Sequence, residues 1–119
     1  MALNLDKIEH DLVHEVKLSP VEAKMFLLVT ITGKMNVGQI AAELKLDSQE
    51  AANTAKKLVI LGGFIDMSET EFEAMHPRFT AVNMYRKTCL RENIEFKKNL
   101  TVDNIGVALE IHYDRARTK

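Results

Sequence analysis

The stretch VGQIAAELKLDSQEAANTAKKLVILGGFI, residues 37–65, contains the strongest fold signal in the chain. It predicts a short helix over residues 38–44 and, after a three-residue turn, a longer helix over residues 48–61. Two glycines end the second helix, and the apolar pair Phe64 and Ile65 starts a strand. Two helices joined by a short turn, with a strand directly after them, are typical of a helix-turn-helix with a wing. In that arrangement the second helix projects outward and can enter the major groove of DNA.

Length and composition indicate one globular domain. A chain of 119 residues can bury a core without disulfides or metals, and 46% apolar with 28% charged residues excludes disorder. The single cysteine, Cys89, cannot form an internal disulfide, and no secretory pattern is present, so we expect a cytoplasmic location. The longest apolar run is too short to span a bilayer, so no membrane partner is expected.

The charge distribution is uneven along the chain, although the net charge is only −1. Residues 1–79 carry eight Lys/Arg against twelve Asp/Glu, a net of −4, and residues 80–119 carry eight against five, a net of +3. A surface that attracts DNA would therefore have to involve the C-terminal part or a locally basic helix face.

Two helices are predicted before the opening stretch. An amphipathic helix that ends near Lys17 is predicted by apolar residues at helical spacing, namely Leu5, Ile8, Leu12 and Val16. Ser19 and Glu22 form a capping box, and Pro20 suits the first helical position, so a new helix is predicted to start here. This helix, from residue 21 to about residue 31, is apolar on nearly every side and is predicted to lie at the centre of the domain.

A hairpin and two more helices are predicted after the stretch. The first strand takes residues 64–67, and the return strand begins at Phe72 or at Phe79, because alternating patterns follow both positions. Further helices are predicted over residues 84–98 and after a cap at Thr101. The fold class is thus mainly α with a small β-hairpin, a winged helix-turn-helix with additional N- and C-terminal helices.

The predicted organisation is an N-terminal helix in residues 1–17, a winged helix-turn-helix domain in residues 18–83 and C-terminal helices in residues 84–119. The terminal helices offer more apolar surface than a winged helix of about 65 residues needs for its own core. We therefore expect them to form a homodimer interface, and the alternative is that they pack on their own domain. The C-terminal stripe consists of Ile105, Leu109, His112, Tyr113 and Ala116.

Several motifs resemble the archaeal TrmB-like transcriptional regulators and, more distantly, the MarR-like winged helices. These motifs are LSPVEAK at residues 18–24, Gly33-Lys34, IAAEL at residues 40–44 and FTAVN at residues 79–83. The resemblance covers roughly residues 18–98 and implies a stand-alone, dimeric DNA-binding module with no ligand site carried over. The start of the second helix of the motif, DSQE at residues 47–50, replaces the basic start usual in that family.

The polar face of the helix over residues 48–61 is predicted to contact DNA. Gln49 and Asn53 suit the edges of adenine, and lysines on the same helix suit phosphates. Arg78 is expected to approach the DNA backbone from the hairpin, and Arg86, Lys87 and Arg91 could add phosphate contacts. The predicted DNA-binding residues are Ser48, Gln49, Asn53, Lys56, Lys57 and Arg78. The alternative for this face is that it is only solvated.

The candidate wing is acidic, because it carries Glu69, Glu71 and Glu73. Neutralised phosphates supply most of the affinity of DNA binders, so three carboxylates oppose contact between this hairpin and DNA. The sequence therefore supports two functions. The first is a DNA-binding transcriptional regulator whose partner is double-stranded DNA. The second is a winged-helix protein–protein interaction module of a larger complex.

No motif for catalysis or cofactor binding occurs in the sequence, so neither an enzyme nor a cofactor is predicted, and no small-molecule ligand can be identified. His10 and His14 have a spacing that can bind a metal. No recognisable third ligand accompanies them, so no metal site is predicted. Cys89 is predicted to be a buried apolar residue rather than a nucleophile.

Overall fold

A computed structural model describes residues 4–118, so residues 1–3 and 119 of the predicted terminal segments lie outside it. Within this range the helices are α1 (Leu5–Glu15), α2 (Pro20–Thr32), α3 (Val37–Leu44), α4 (Ser48–Leu61), α5 (Pro77–Arg91) and α6 (Leu100–Arg117). The strands are β1 (Met35–Asn36), β2 (Ile65–Asp66) and β3 (Glu71–Glu73). The predicted class is mainly α with a small β-hairpin, and the mainly helical character is confirmed, together with a small three-stranded antiparallel sheet. Across residues 4–118, no helix is both long and apolar enough to cross a membrane.

The sheet has three strands in the order β1-β3-β2, and both pairs are antiparallel. Phe72 on the central strand lies opposite Met35 on one side and opposite Asp66 on the other. The link before α3 therefore joins the hairpin and fixes it to the helical body. Phe72 is buried and its ring packs against Phe64, with 6.3 Å between ring centroids.

Helix α2 lies at the centre of the core, as predicted. Most of its side chains are buried, and it contacts α1, α3, α4 and α6. The ring of Phe26 stacks on Phe64 at 6.4 Å, which connects the helical core to the sheet. Ser19 and Glu22 form the predicted capping box, in which Glu22 N–H donates to Ser19 Oγ at 3.1 Å and Ser19 N–H to Glu22 Oε1 at 2.8 Å.

The two helices of the opening stretch form as predicted. Helix α4 has the predicted bounds, and α3 begins at Val37, one residue earlier than expected, because Asn36 caps it by accepting from Gln39 N–H at 2.8 Å. Lys45 adopts a left-handed conformation with φ 57° and ends α3. Gly62, with φ 94°, ends α4, a backbone geometry that favours glycine.

The helix predicted over residues 84–98 is wrong at both ends. Helix α5 begins at Pro77, because His76 caps it and proline suits the first helical position, and it ends at Arg91. Residues 92–99 contain no helix, and Asn93 has φ 57°. The return strand is therefore β3, and Arg78 lies on a helix rather than on the hairpin. Helix α5 also runs across residue 83, where we expect the winged helix-turn-helix domain to end and the C-terminal helices to begin.

The terminal helices pack on their own domain. Leu12, Val16, Ile105 and Leu109 are at most 2% exposed, and Ile8 is 6% exposed. The expectation that these five residues form a free surface is wrong, because α1 and α6 contact each other and α2. Helix α6 begins at Leu100 with Asn99 as its cap, rather than after Thr101, and Asn99 Nδ2 donates to Glu15 Oε1 at 2.9 Å.

Candidate nucleic-acid interface

Helix α4 has one buried and one exposed face. Its buried side chains follow helical spacing, namely Ala51, Ala55, Leu58 and Leu61. The small alanines allow close packing on α2 and α3, which turns the opposite face outward. That opposite face, here called the α4 outer face, consists of Gln49, Asn53, Lys56 and Ile60, and all four residues are exposed. Ile60 is 75% exposed and is the only large apolar side chain among these four residues.

A groove of about 860 Å³ runs between α4 and the hairpin. One wall comes from α4 through Ser48, Gln49 and Lys56, and the other comes from the hairpin through Asp66 and Glu69. The apolar lining residues are Val37, Ala52, Val59, Ile60 and Phe72. The groove therefore places hydrogen-bonding and basic groups of α4 across from carboxylates.

The amides of Gln49 and Asn53 are joined by a hydrogen bond, in which Gln49 Nε2 donates to Asn53 Oδ1 at 3.2 Å. These residues are one helical turn apart, so the bond orients both side chains along the outer face. The bond leaves the Asn53 amide nitrogen as a donor and the Gln49 amide oxygen as an acceptor. One donor beside one acceptor matches the N7 acceptor and N6 donor that adenine presents in the major groove.

The two neighbouring lysines of α4 have different surroundings. Lys57 Nζ lies 3.3 Å from Glu22 Oε2, and the Glu22 side chain is only 8% exposed. Lys57 is therefore directed towards α2, at the edge of the outer face. Lys56 is exposed and lines the groove, and within residues 4–118 it forms no ion pair with another side chain. Of the two predicted phosphate contacts on α4, Lys56 is the one with a free ammonium group.

Arg78 is separated from the other predicted site residues. It is the second residue of α5, and its Nη1 lies 3.7 Å from Glu110 Oε2 on α6. The expectation that Arg78 approaches DNA from the hairpin is wrong, because the residue is not part of the hairpin. The structure thus brings Ser48, Gln49 and Lys56 to one groove, with Asn53 beside them on the same face, and leaves Arg78 elsewhere.

The acidic residues of the hairpin differ in their partners. Glu73 bonds Arg117 of α6, and Glu71 is half-buried. Asp66 and Glu69 are exposed and line the groove. The negative charge of the hairpin wall therefore comes chiefly from Asp66 and Glu69. The sequence pattern indicated an acidic hairpin through the three glutamates but did not identify Asp66. The position of Asp66 in the groove depends on the pairing of β2 with β3.

Basic residues of α5 border the C-terminal end of α4. A Cβ added at Gly62 would lie 3.1 Å from Lys87 Cε and would clash with Asn83 Nδ2, so α5 crosses closely over this end. Arg86 and Lys87 are exposed, and Arg86 Nη2 donates to Asn83 Oδ1 at 2.8 Å. Of these two cations, Lys87 is the one whose side chain lies against this end of α4.

Comparisons with protein-family profiles, curated protein sequences and solved structures found no match to this chain. The resemblance to the TrmB-like regulators stays a prediction from the quoted motifs.

Proposed function

We propose that the chain is a DNA-binding transcriptional regulator with a winged helix-turn-helix, and that the α4 outer face reads the major groove. The observation that carries this proposal is the Gln49–Asn53 amide pair on an exposed helix face, with Lys56 beside it. A donor and an acceptor held by one hydrogen bond suit base edges, and the Lys56 ammonium one turn further, which forms no ion pair within residues 4–118, suits a phosphate.

The order of elements supports the winged arrangement. Helices α3 and α4 are separated by the three residues between Leu44 and Ser48, and the β2–β3 hairpin follows α4 directly. The short strand before α3 pairs with β3, and the hairpin lines one groove together with α4, as a wing would. In this arrangement Ser48, at the first position of α4, faces the same groove as Gln49.

The charge distribution supports a specific orientation on DNA. Phosphates would approach Lys56, and Lys87 of α5, which lies against the C-terminal end of α4, would be a second candidate contact. The hairpin wall with Asp66 and Glu69 would stay away from the phosphates, because like charges repel. So few cations imply a modest affinity and a shallow dependence of that affinity on salt.

We propose that the DNA-binding form is a homodimer that uses the exposed face of α6 rather than the buried stripe. Leu100, Val107 and Ile111 follow helical spacing and are 67%, 49% and 56% exposed. Two copies that pack this face around a two-fold axis would bury the three residues and present two α4 helices to a palindromic site.

Substituting Val107 and Ile111 together by aspartate should convert the dimer to a monomer, measured by light scattering after gel filtration. A wild-type chain that is monomeric at all concentrations would contradict the dimer.

A second candidate function is a protein–protein interaction module, and the observation that favours it is the hairpin. Asp66 and Glu69 line one wall of the groove, and Ile60, Ile65 and Met67 are 75%, 41% and 54% exposed. Carboxylates next to exposed apolar side chains suit a basic, amphipathic protein segment better than a phosphate backbone.

Fluorescence anisotropy with a random-sequence duplex, at low and at moderate salt, separates the two functions. The proposal predicts binding at low salt and a loss of affinity as salt rises, because counterions are released when phosphates are neutralised. Absence of binding at low salt would overturn the DNA proposal and favour the interaction module.

A further inference from the structure

A side-chain cluster between α5 and α6 lies outside the candidate DNA interface. It consists of His76, Glu110 and Asp114, and one potential ligand atom of each residue lies within 4.8 Å of the other two. His76 Nε2 is 3.4 Å from Glu110 Oε2 and 3.9 Å from Asp114 Oδ1. The three side chains are 35%, 37% and 57% exposed, so water can reach them.

We propose that these three residues form a binding site for a divalent transition-metal ion of the zinc class. The proposal does not depend on DNA binding. One imidazole nitrogen and two carboxylate oxygens are a donor set that zinc accepts, with a water in the fourth position. Tetrahedral ligands at about 2.1 Å from the ion lie about 3.4 Å from one another. The cluster needs only small side-chain rotations to reach that spacing.

The backbone arrangement explains why the three groups meet. A Cβ on Gly106 would lie 2.7 Å from Arg78 Cα and 3.0 Å from Pro77 O, so the start of α5 rests directly on α6 at this glycine. One turn further along α6, Glu110 and then Asp114 face the residue that precedes α5, which is His76. The His76 ring also packs against Tyr113, with 5.1 Å between centroids, which limits its rotation.

The charges of the cluster favour a cation. Glu110 and Asp114 are one helical turn apart, and like charges at this spacing repel. Arg78 lies near Glu110, at 3.7 Å, but within residues 4–118 the only ion-pair partner of Asp114 is His76. A divalent ion would compensate both carboxylates at once and would displace the guanidinium of Arg78 from Glu110.

Metal binding competes with the capping of α5. His76 Nδ1 accepts from Arg78 N–H at 3.2 Å, so in the neutral ring Nε2 bears the proton. A metal on Nε2 moves that proton to Nδ1, and the ring then no longer accepts from Arg78 N–H. The released N–H is at an exposed helix end, where water can replace the ring nitrogen. The exchange moderates the affinity but does not prevent binding.

Calorimetric titration of the full chain with ZnCl₂ tests the site. His10 and His14, whose rings stack at 5.6 Å on α1, are a second place where zinc could bind, so the parent protein should be His10→Gln/His14→Gln. This parent is expected to bind one Zn²⁺. Adding His76→Asn removes the imidazole but retains a preferred helix cap, and should weaken binding at least tenfold. Circular dichroism should show unchanged helix content.

Two further variants sharpen the result. Asp114→Asn should weaken binding, and Arg78→Ala should tighten it several-fold, because the competing guanidinium is gone. Co²⁺ in place of Zn²⁺ should give the intense visible absorption of a tetrahedral site in the parent and lose it in His76→Asn. Absence of Zn²⁺ binding by the parent, or equal affinity in the parent and in His76→Asn, would overturn the proposal.

Discussion

Lys57 Nζ lies 3.3 Å from Glu22 Oε2, and this contact joins α4 to the capping box that starts α2. Glu22 is 6% exposed and already accepts from Ser19 N–H, so its carboxylate is held in place before the lysine approaches. The contact gives two adjacent lysines different roles. Lys57 stabilises the position of α4, and Lys56 stays available for the phosphate contact that we propose.

Substituting Lys56 by alanine should therefore affect DNA binding but not stability, and substituting Lys57 should affect stability but not DNA binding. Lys56→Ala should reduce the slope of log K against log salt by about 1 and leave stability unchanged. Lys57→Ala should leave that slope unchanged and lower the free energy of unfolding by about 0.5 kcal/mol, a small value because Lys57 is 62% exposed. Anisotropy titrations and urea unfolding measure the two quantities. Equal effects on DNA binding would show that the two side chains are equivalent.

Asn53→Ala should reduce sequence preference rather than general affinity. The change removes the Asn53 amide nitrogen, which is the donor left free for a base. It also removes the oxygen that accepts from Gln49 Nε2. Discrimination at one base pair should fall about tenfold or more, because a bidentate contact to a base contributes about 1–3 kcal/mol. Selection from a random duplex pool, followed by binding to matched and single-substituted sites, measures the change. A uniform loss on all sites would assign Asn53 to the DNA backbone instead.

The sequence predicted α4 with its correct bounds because its signals are local. Asp47 caps the helix, glycine with φ 94° ends it, and small residues mark its inner face. The prediction of where α5 starts was wrong for a physical reason, because residues 78–82 alternate between apolar and polar side chains as a strand does. The helical spacing of the buried residues Thr80, Ala81, Met84 and Thr88 becomes decisive only when the neighbouring elements are present.

The pairing of side chains could not be predicted in the same way. Lys57 and Glu22 are 35 positions apart, and Arg78 meets Glu110 across two helices. Such contacts depend on how helices cross, which no local pattern contains. The packing of the C-terminal stripe could not be predicted either, because its apolar residues are equally suited to a partner chain and to the core of their own chain.

Gly106→Ala should destabilise the protein by about 1–3 kcal/mol. A methyl group there would lie 2.7 Å from Arg78 Cα, and backbone cannot move aside as a flexible side chain can. Asn104→Ala is the matched control, because Asn104 is exposed on the same helix, and it should change stability by less than about 0.5 kcal/mol. Urea unfolding measures both variants. A neutral Gly106→Ala would contradict the close approach of α5 and α6.

Arg117→Ala should lower the free energy of unfolding by about 2 kcal/mol. Arg117 bonds Glu73 of β3, donates to Thr30 O at 2.8 Å and lies over the Tyr113 ring at 3.7 Å. Removing it leaves a carboxylate that is only 20% exposed without its partner. Arg115→Ala, at an exposed position of α6, should cost less than about 0.5 kcal/mol. Similar losses for the two variants would show that the Arg117 contacts do not stabilise the fold.

The position of DNA on the molecule is tested most directly by NMR titration of the ¹⁵N-labelled chain with a short duplex at low salt. We expect the side-chain amide signals of Gln49 and Asn53 to shift together with the backbone amides of α4, and the side-chain amide signal of Asn104 on α6 to stay unchanged. Shifts confined to α6 or to the hairpin, with the Gln49 and Asn53 amides unchanged, would contradict the claim that the α4 outer face reads DNA.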